Sequence, residues 1–513
     1  MKKILFIVML IISLFNISCQ NNSSSSIGSI GEIVVDPYGL TPLSAVYTTE
    51  TVNTAPITVK VKGLYGEPDI IHTYPAGYGT EFEIHGMFPE SENTIEVNDS
   101  GRIITKNVNV GSISANGVAI QKKYDVAVNN LPEEKYPNNP ELYFFSINSI
   151  VWTCSLGISP NGYVRYITII PAPFMKLSIY NSKLLLCIYS TSMYDNKNSS
   201  IYNLLANSSI KYPEASHHDL IKINNKYVYL TYSVFGYQDK LIEMNDSGTK
   251  LKELSFEKII KNSLDLVKYP EDDSVLKQIV FGEYIDNIYI QDGNQITIDW
   301  FHGNSLVYDS LTDILYVSSR HRGVLAIDYS EWKLIWWMAD ETLSTKINIG
   351  GDGVIPYNMH FKDLKSLEAY RVKGDALNDG PKNQHALFLH KNGNLGMFDN
   401  QGDELTNPNG SRYVEYKIDG EYGNWRAQKV YEYRDSSLYS RIASDVDFTG
   451  KNYGNLLLVY ADPTARILEV EKNTKNILFR LNLPFQTYRV DKMPLYYDEG
   501  RVYSEDCNLK NPN

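Results

Sequence analysis

One hairpin pattern recurs along most of this chain and constrains its fold more than any other feature. Short apolar strands follow tight turns repeatedly between residues 118 and 513. The clearest copies are Pro160–Ile169, Asn181–Leu186, Asn224–Leu230, Asp292–Ile298, Asn392–Met397 and Gly454–Tyr460. Such recurrence is typical of the blades of a β-propeller. At roughly 65 residues per repeat, the length predicts six blades. Two further β-sandwiches are the alternative arrangement.

A smaller β unit precedes the repeats. Residues 33–117 contain short segments in which apolar and polar residues alternate, such as Ile57–Lys62 and Glu81–His85. Alternation with a period of two predicts strands with one buried face, so we expect a small N-terminal β-sandwich. Helical patterns are weak and limited to Ser255–Val267 and Lys362–Glu368. The sequence therefore predicts an all-β protein.

The first residues have the pattern of an export signal. Two lysines are followed by the apolar run Ile4–Phe15, which is too short to span a bilayer. Residues 1–18 are predicted to be a signal peptide, and Cys19 lies where a lipoprotein signal is cut and lipidated. Residues 19–32 then form a polar tether. We expect a periplasmic or cell-envelope protein that contacts the membrane only through a lipid on Cys19, with plain cleavage as the alternative.

Charge and cysteine content exclude other classes. The chain has 48 Lys and Arg residues against 60 Asp and Glu residues, a net charge of −12. It contains no basic run that could follow a phosphate backbone, so nucleic acid is not an expected partner. Apart from Cys19, the cysteines have no metal-ligand spacing. A disulfide between Cys154 and Cys507 is left open, as is a homodimer.

Three histidines begin apolar strands in the same way. They are His218, His302 and His385, which are separated by 84 and 83 residues. In a propeller the innermost strands start near the central channel, so side chains at equivalent positions converge there. Adjacent strand residues point to opposite faces, so His217 and His218 cannot both face the channel. His218 lies seven residues before Asn225, as His385 lies seven residues before Asn392, which selects His218. Three imidazoles are therefore expected in one funnel.

The segment around His302 is the most specific motif of the chain. Asp299–Ser305 reads DWFHGNS, and Ser318–His321 reads SSRH, which places Arg320 18 residues after His302. This arrangement closely resembles the aryl-sulfate sulfotransferase family of exported bacterial enzymes. Ser216–Leu220 and Asn383–Ala386 resemble two further motifs of that family, and Val35–Ala45 resembles the start of its small β domain.

The resemblance implies a fold and an activity. It implies a β-sandwich followed by a six-bladed propeller, and sulfuryl transfer from a phenolic sulfate ester to another phenol without a nucleotide donor or other cofactor. By resemblance His385 is the nucleophile, which forms a sulfohistidine in a ping-pong reaction. His302, Arg320 and His218 then surround the sulfuryl group, and Asn304 orients a partner.

Chemical reasoning from the residues agrees with these roles. A neutral imidazole can attack sulfur where Arg320 stabilises the sulfuryl oxygens, and a neighbouring histidine can exchange a proton with the phenol. The neutral residues around His385 favour an uncharged imidazole. Asp219, beside His218, would favour a charged imidazole if the two interact.

Two other functions fit parts of the pattern. Three converging histidines could bind zinc or iron in a metal-dependent hydrolase, although the cation of Arg320 opposes a metal ion and no metal is expected. A non-catalytic propeller on the cell surface could instead bind proteins or glycans. Such a binding protein would have no need of a funnel that combines three histidines with an arginine.

Overall fold

A computed structural model provides the three-dimensional structure of the protein. It describes residues 30–37, 39–115, 118–147, 154–169, 174–180, 183–189, 200–203, 208–214, 216–231, 239–281, 290–291, 294–295, 300–341, 346–349, 353–356, 360–402, 407, 409–450 and 454–496. The predicted signal peptide, Cys19 and Cys507 lie outside these residues. Cys154 is a buried free thiol. In the described part of the chain, no helix is both long enough and apolar enough to cross a membrane.

Two antiparallel sheets form the N-terminal unit. Its strands are β1 (Ile33–Val35), β2 (Ser44–Thr48), β3 (Ile57–Val61), β4 (Ile70–Tyr74), β5 (Glu81–His85), β6 (Ser91–Asp99) and β7 (Arg102–Val110). The strand orders are β1-β2-β5 and β4-β3-β6-β7. Alternate residues of β3, namely Ile57, Val59 and Val61, are buried in the core. The alternation seen in the sequence thus corresponds to one buried face of a sandwich sheet.

The rest of the chain forms antiparallel sheets in succession. Three short strands come first: β8 (Ser114–Ala115), β9 (Val118–Ala119) and β10 (Asp125–Asn129). The next strands are β11 (Glu141–Ser146), β12 (Ser155–Ile158), β13 (Val164–Thr168), β14 (Phe174–Tyr180), β15 (Lys183–Tyr189), β16 (Ser200–Asn203), β17 (Ser208–Lys211), β18 (Ser216–Ile223), β19 (Lys226–Thr231), β20 (Lys240–Asn245) and β21 (Lys250–Ser255).

Helices and further sheets complete the chain. They are α1 (Phe256–Lys261), α2 (Asp272–Phe281), β22 (Ile290–Gln291), β23 (Asn294–Gln295), β24 (Gly303–Asp309), β25 (Ile314–Ser319), β26 (Gly323–Asp328), β27 (Lys333–Met338), β28 (Lys346–Ile349), β29 (Gly353–Pro356), the 3₁₀ turns Phe361–Asp363, Lys365–Tyr370 and Asp375–Leu377, β30 (His385–Leu389), β31 (Leu395–Asp399), β32 (Arg412–Asp419), β33 (Arg426–Arg434), β34 (Asp445–Thr449), β35 (Asn455–Tyr460), β36 (Arg466–Glu471), β37 (Ile477–Asn482) and β38 (Val490–Pro494).

Sheet order follows chain order, as a propeller requires. The four-stranded sheets β14–β17, β18–β21, β24–β27 and β30–β33 each consist of consecutive strands, and β34–β37 add β10 at their edge. The first propeller sheet, which precedes these in the chain, has the order β13-β12-β11-β38. The prediction of an all-β fold with a sandwich before a propeller is confirmed. The number of blades stays a prediction.

The two ends of the propeller meet in that first sheet. Strand β38, from the C-terminal region, pairs with β11 so that Val490 lies opposite Phe145 and Pro494 opposite Glu141. The buried core is continuous from the sandwich through this sheet to the last one, and Val59, Phe144 and Leu481 all belong to it. Strand β38 therefore links the C-terminal part of the propeller to its first sheet and, through the shared core, to the sandwich.

Helical structure differs in part from the sequence prediction. Helix α1 begins after Ser255, whose hydroxyl accepts the N–H of Lys258, and ends at Lys261, before the predicted Val267. Helix α2 was not predicted, and Asp272 caps the turn that follows Leu364 by accepting N–H bonds from Lys365 and Ser366. The second predicted helix is the 3₁₀ turn Lys365–Tyr370.

Candidate active site

Three neighbouring inner strands carry the predicted histidines. Strand β18 packs beside β24, and β24 packs beside β30. Each of the three is the first strand of its sheet, and each has an irregularity of register at its start, at Ser216–Leu220, Gly303–Ser305 and His385–Leu387. Such bulges redirect side chains and are frequent beside functional sites. His218 and His385 lie within these irregularities, and His302 directly precedes the one at Gly303–Ser305.

The backbone at these bulges is unusual for residues other than glycine. His218 has a φ of 55° and His302 a φ of 52°, and Ala386 follows His385 with a φ of 51°. A left-handed backbone costs such residues roughly 1 to 3 kcal/mol and persists only where surrounding contacts impose it. One such contact is the N–H of Arg320, which donates to the carbonyl of His302 over 2.9 Å.

The predicted residues come together in one cluster. The ring centroids of His218 and His302 lie 4.9 Å apart, and Tyr488 lies 5.6 Å from His218 and 6.2 Å from His385. Arg320 is close enough to His385 for its charge to lower the pKa of that imidazole. The strands of three sheets and the segment before β38 thus converge on one site.

His385 has a defined protonation pattern. Its Nδ1 lies 3.0 Å from the carbonyl oxygen of Asn383 and 2.8 Å from Oδ1 of Asn400. Both oxygens can only accept, so Nδ1 carries the proton and Nε2 has the lone pair in the neutral ring. Burial lowers the pKa of His385 to about 3, although the hydrogen bond to Asn400 opposes this effect. The side chain is therefore a buried, neutral base.

His218 also stays neutral. Its Nδ1 lies 3.1 Å from the hydroxyl of Tyr488. Burial, followed by the nearby His302, lowers its pKa well below the usual value. Asp219 was expected to favour the charged form only if it interacted with His218, and its carboxylate has other partners. The carboxylate of Asp219 pairs with Arg489 over 3.2 Å and accepts the N–H of Leu306 over 2.7 Å.

Asn304 supports the strand that carries His385. It is fully buried, and its Nδ2 donates to the carbonyl oxygen of Gln384 over 2.8 Å. The amide of Gln384 in turn donates to Ser319 and Gly323, both at carbonyl oxygens, over 2.8 and 3.0 Å. Asn304 therefore braces the segment that carries His385 against the neighbouring sheet, and its role in orienting a partner stays a prediction.

Three residues of the site were missed by sequence reasoning: Asn400, Tyr488 and Arg489. Asn400 directly follows β31, and the other two directly precede β38. No motif distinguished Tyr488 among 39 tyrosines. The acidic Asp219 beside His218 was the only signal for a cationic partner such as Arg489.

The arrangement favours anion chemistry over metal binding. Among the described residues, no group of three or more histidine, cysteine, aspartate or glutamate side chains could hold a metal ion. Arg320 supplies a fixed positive charge beside the imidazoles, which suits the oxygens of an anionic group.

Two known family models match the chain. The family described as Arylsulfotransferase (ASST) matches residues 188–492, more than half of the chain and the part that contains all of these site residues. Its companion, the Arylsulfotransferase Ig-like domain, matches residues 32–110, which form the two-sheet unit. The chain belongs to the arylsulfotransferase family.

Two curated relatives of the chain are named Arylsulfate sulfotransferase AssT. The protein of Escherichia coli O6:H1 is 28% identical over 211 residues, which cover 37% of this chain and 34% of the relative. That of Lelliottia amnigena is 26% identical over 294 residues, which cover 49% and 46%. The aligned region thus spans less than half the length of either relative.

Among solved structures, the β-propeller domain of Cps50 (Swd1) from Myceliophteria thermophila resembles the chain with a TM-score of 0.33 and 9% identity. The alignment covers 71% of this chain and 88% of that domain. The propeller architecture follows from the sheet topology described above.

The stability of the protein is expected to depend on pH through His385. The unfolded chain binds a proton at this residue below about pH 6.5, whereas the folded chain keeps it neutral down to about pH 3. The unfolded state therefore binds more protons in this range, and the free energy of unfolding falls as the pH is lowered. The free energy of unfolding, measured with urea between neutral pH and about pH 5, should depend less steeply on pH in His385→Gln than in wild type.

Val430→Ala provides the control for this comparison, because Val430 is exposed on β33. It should keep the wild-type slope. An equal slope for His385→Gln and wild type would show that His385 is protonated alike in both states.

Proposed function

We propose that the protein transfers a sulfuryl group from a phenolic sulfate ester to a second phenol, through a sulfohistidine and without a nucleotide donor. The observation that carries the proposal is the His385 imidazole, whose two Nδ1 acceptors leave the Nε2 lone pair available beside Arg320. The family membership and the printed names of the relatives support the substrate class.

The first half-reaction begins at Nε2 of His385. Its lone pair attacks sulfur, an N–S bond forms, and the S–O bond to the phenol breaks with its electron pair leaving on oxygen. Arg320 donates to the sulfuryl oxygens, whose charge must be stabilised during the transfer. His302, whose ring lies beside that of His218, supplies the proton that the phenolate takes up.

The second half-reaction reverses these steps with a new phenol. The His302 imidazole removes the hydroxyl proton of the phenol. The phenol oxygen then attacks sulfur, and the N–S electron pair returns to Nε2 of His385. Tyr488 lies beside both His218 and His385 and offers an aromatic surface to either phenol in turn. A single pocket can therefore serve donor and acceptor, because they bind at different times.

The reaction itself is tested with a chromogenic aryl sulfate. We expect release of the coloured phenol to rise when a second phenol is added, and the second phenol to be recovered as its sulfate ester. A nucleotide sulfate should not serve as donor, because the sequence has no phosphate-binding loop. Activity with the nucleotide donor alone, or binding of ligands with no turnover, would reject the proposal in favour of another function.

A covalent intermediate is expected at His385. Incubation with aryl sulfate and no acceptor should raise the intact mass by one sulfuryl group, and peptide mapping at alkaline pH should place it on this residue. Addition of phenol should remove the sulfuryl group. Double-reciprocal plots of rate against donor concentration, at several acceptor concentrations, should give parallel lines. His385→Asn should remain unmodified, whereas the control His72→Asn in the N-terminal sandwich should be modified as wild type. A sulfuryl group on another residue would contradict the assignment.

Arg320→Lys should lower kcat although it keeps the charge. Lysine presents a point charge where a planar guanidinium can donate to two sulfuryl oxygens, so we expect a loss of about 2 to 4 kcal/mol of transition-state stabilisation. The backbone N–H that supports His302 is unaffected by this change. Arg441→Lys, at a half-exposed position near Asp462, is the control. Turnover close to wild type would assign Arg320 a purely structural role.

We also propose that Cys19 carries the lipid that anchors the protein in the cell envelope. The apolar run before it and the polar tether after it support this localisation. Cells fed a labelled fatty acid should label the wild-type protein but not Cys19→Ser, which should also leave the membrane fraction. An unlabelled wild-type protein with a different mature N-terminus would indicate plain signal cleavage.

A further inference from the structure

We propose that Asn400 is a positioning residue that holds His385 in the tautomer with its proton on Nδ1 and thereby directs Nε2 at the sulfur. The inference rests on the proposed function, because it assigns Asn400 a role in positioning the proposed nucleophile. Asn400 itself does not face the substrate. Its basis is the contact between Oδ1 of Asn400 and Nδ1 of His385, 2.8 Å long and fully buried.

The orientation of the Asn400 amide is itself determined by its surroundings. Its Nδ2 donates to the carbonyl oxygens of Ser440 and Ala443 over 2.9 and 3.1 Å. A flipped amide would place its oxygen against these two acceptors and its NH₂ group against the imidazole. Oδ1 therefore faces His385, and a proton on Nδ1 is the arrangement that satisfies both groups.

A second contact holds the segment without touching the histidine. The hydroxyl of Ser411 donates to the backbone carbonyls of Asn400 and Ser440 over 3.0 and 3.1 Å. It also accepts the N–H of Ser440 over 2.9 Å. Ser411 thus supports the same segment as Asn400 but has no bond to the imidazole, so it separates a structural role from a positioning role.

A neutral acceptor at this place has a chemical consequence. When Nε2 bonds to sulfur and the phenolate leaves with the S–O electron pair, the imidazole ring becomes positively charged and the Nδ1 proton becomes more acidic. A carboxylate would stabilise that charged ring strongly, whereas an amide oxygen stabilises it less. Asn400 thereby orients the nucleophile and still leaves a sulfohistidine that can pass its sulfuryl group to the acceptor.

Other groups around His385 set the background for any pH effect. Arg320 approaches from the end of β25, His302 from the start of β24, His218 from β18 and Tyr488 from the segment before β38. The positive charge of Arg320 opposes protonation of the imidazole. A carboxylate introduced at Asn400 would favour protonation, so its effect on the pH profile has a definite sign.

Asn400→Asp and Asn400→Leu test the role by pre-steady-state kinetics. In Asn400→Asp, the burst of first phenol should persist at neutral pH, the later turnover should slow by about tenfold, and the acid limb of kcat/KM should move to higher pH. In Asn400→Leu, the burst itself should slow by about tenfold, while the carbonyl of Asn383 retains part of the orientation. The dissociation constant of the donor should change little in both.

Ser411→Ala is the matched control. It loosens the segment that carries Asn400 but leaves the bond to Nδ1, so its stability should fall while its pH profile and its ratio of burst to turnover stay as in wild type. Equal changes in Ser411→Ala and the Asn400 variants would reduce Asn400 to a structural residue and overturn the proposal. Unchanged burst, turnover and pH profile in both Asn400 variants would also overturn it.

Nitrogen NMR of ¹⁵N-histidine-labelled protein tests the tautomer without any turnover, with His385→Gln used to assign the signal. Wild type should show a protonated Nδ1 and an unprotonated Nε2, and Asn400→Leu should show an increased share of the other tautomer. A wild-type signal with the proton on Nε2 overturns the positioning role. If wild type shows the expected tautomer but does not transfer sulfate, the positioning role stands and the proposed function fails.

Discussion

The pairing of β38 with β11 determines both the closure of the propeller and the composition of its site. The pairing register places Val490 opposite Phe145, so β38 becomes part of the first propeller sheet. Tyr488 and Arg489 come directly before this strand and reach His218 and Asp219. Hydrogen bonding that closes the ring therefore also delivers two side chains to the funnel. A change that weakened this pairing would affect stability and site geometry together.

The electrostatics of the site depend on which charges are paired. Arg489 is buried and bound to the carboxylate of Asp219, and two backbone N–H groups also donate to that carboxylate. A buried pair of this kind is costly to break, because either partner alone would be left as a buried charge. Arg320, in contrast, acts on His385 and lowers its pKa together with burial. A neutral base beside a cation is the combination that an anionic sulfate ester requires.

Sequence reasoning found the residues that carry local patterns and missed those defined by long-range contacts. His218, His302 and His385 recur at nearly equal spacing, and Arg320 belongs to a short motif near His302. Tyr488 meets His218 across 270 positions of the chain, a contact that no pattern around either residue encodes. The period of two separated His218 from His217, whose Nε2 lies 3.1 Å from the carbonyl of Thr231.

Asp219 shows why a neighbour in sequence is an uncertain guide to charge. Adjacent strand residues point to opposite faces, so a carboxylate next to a histidine usually faces away from it. Asp219 turns towards Arg489 and the start of β24, and His218 meets Tyr488 instead. The fold itself was easier to predict, because hairpins repeat locally and each turn leaves a signature in the sequence.

Strain and hydrogen bonding at the strand starts have a common consequence for catalysis. The left-handed backbone of His302 is held within its own sheet, where the N–H of Arg320 donates to its carbonyl, and the imidazole of His218 is held by the hydroxyl of Tyr488. Free energy stored there belongs to folding, so it is not spent again when a substrate binds. The imidazoles consequently need no reorganisation of their backbone during the reaction. The same backbone contact fixes Arg320 and His302 relative to each other, and in the proposed reaction both residues act on one sulfuryl group.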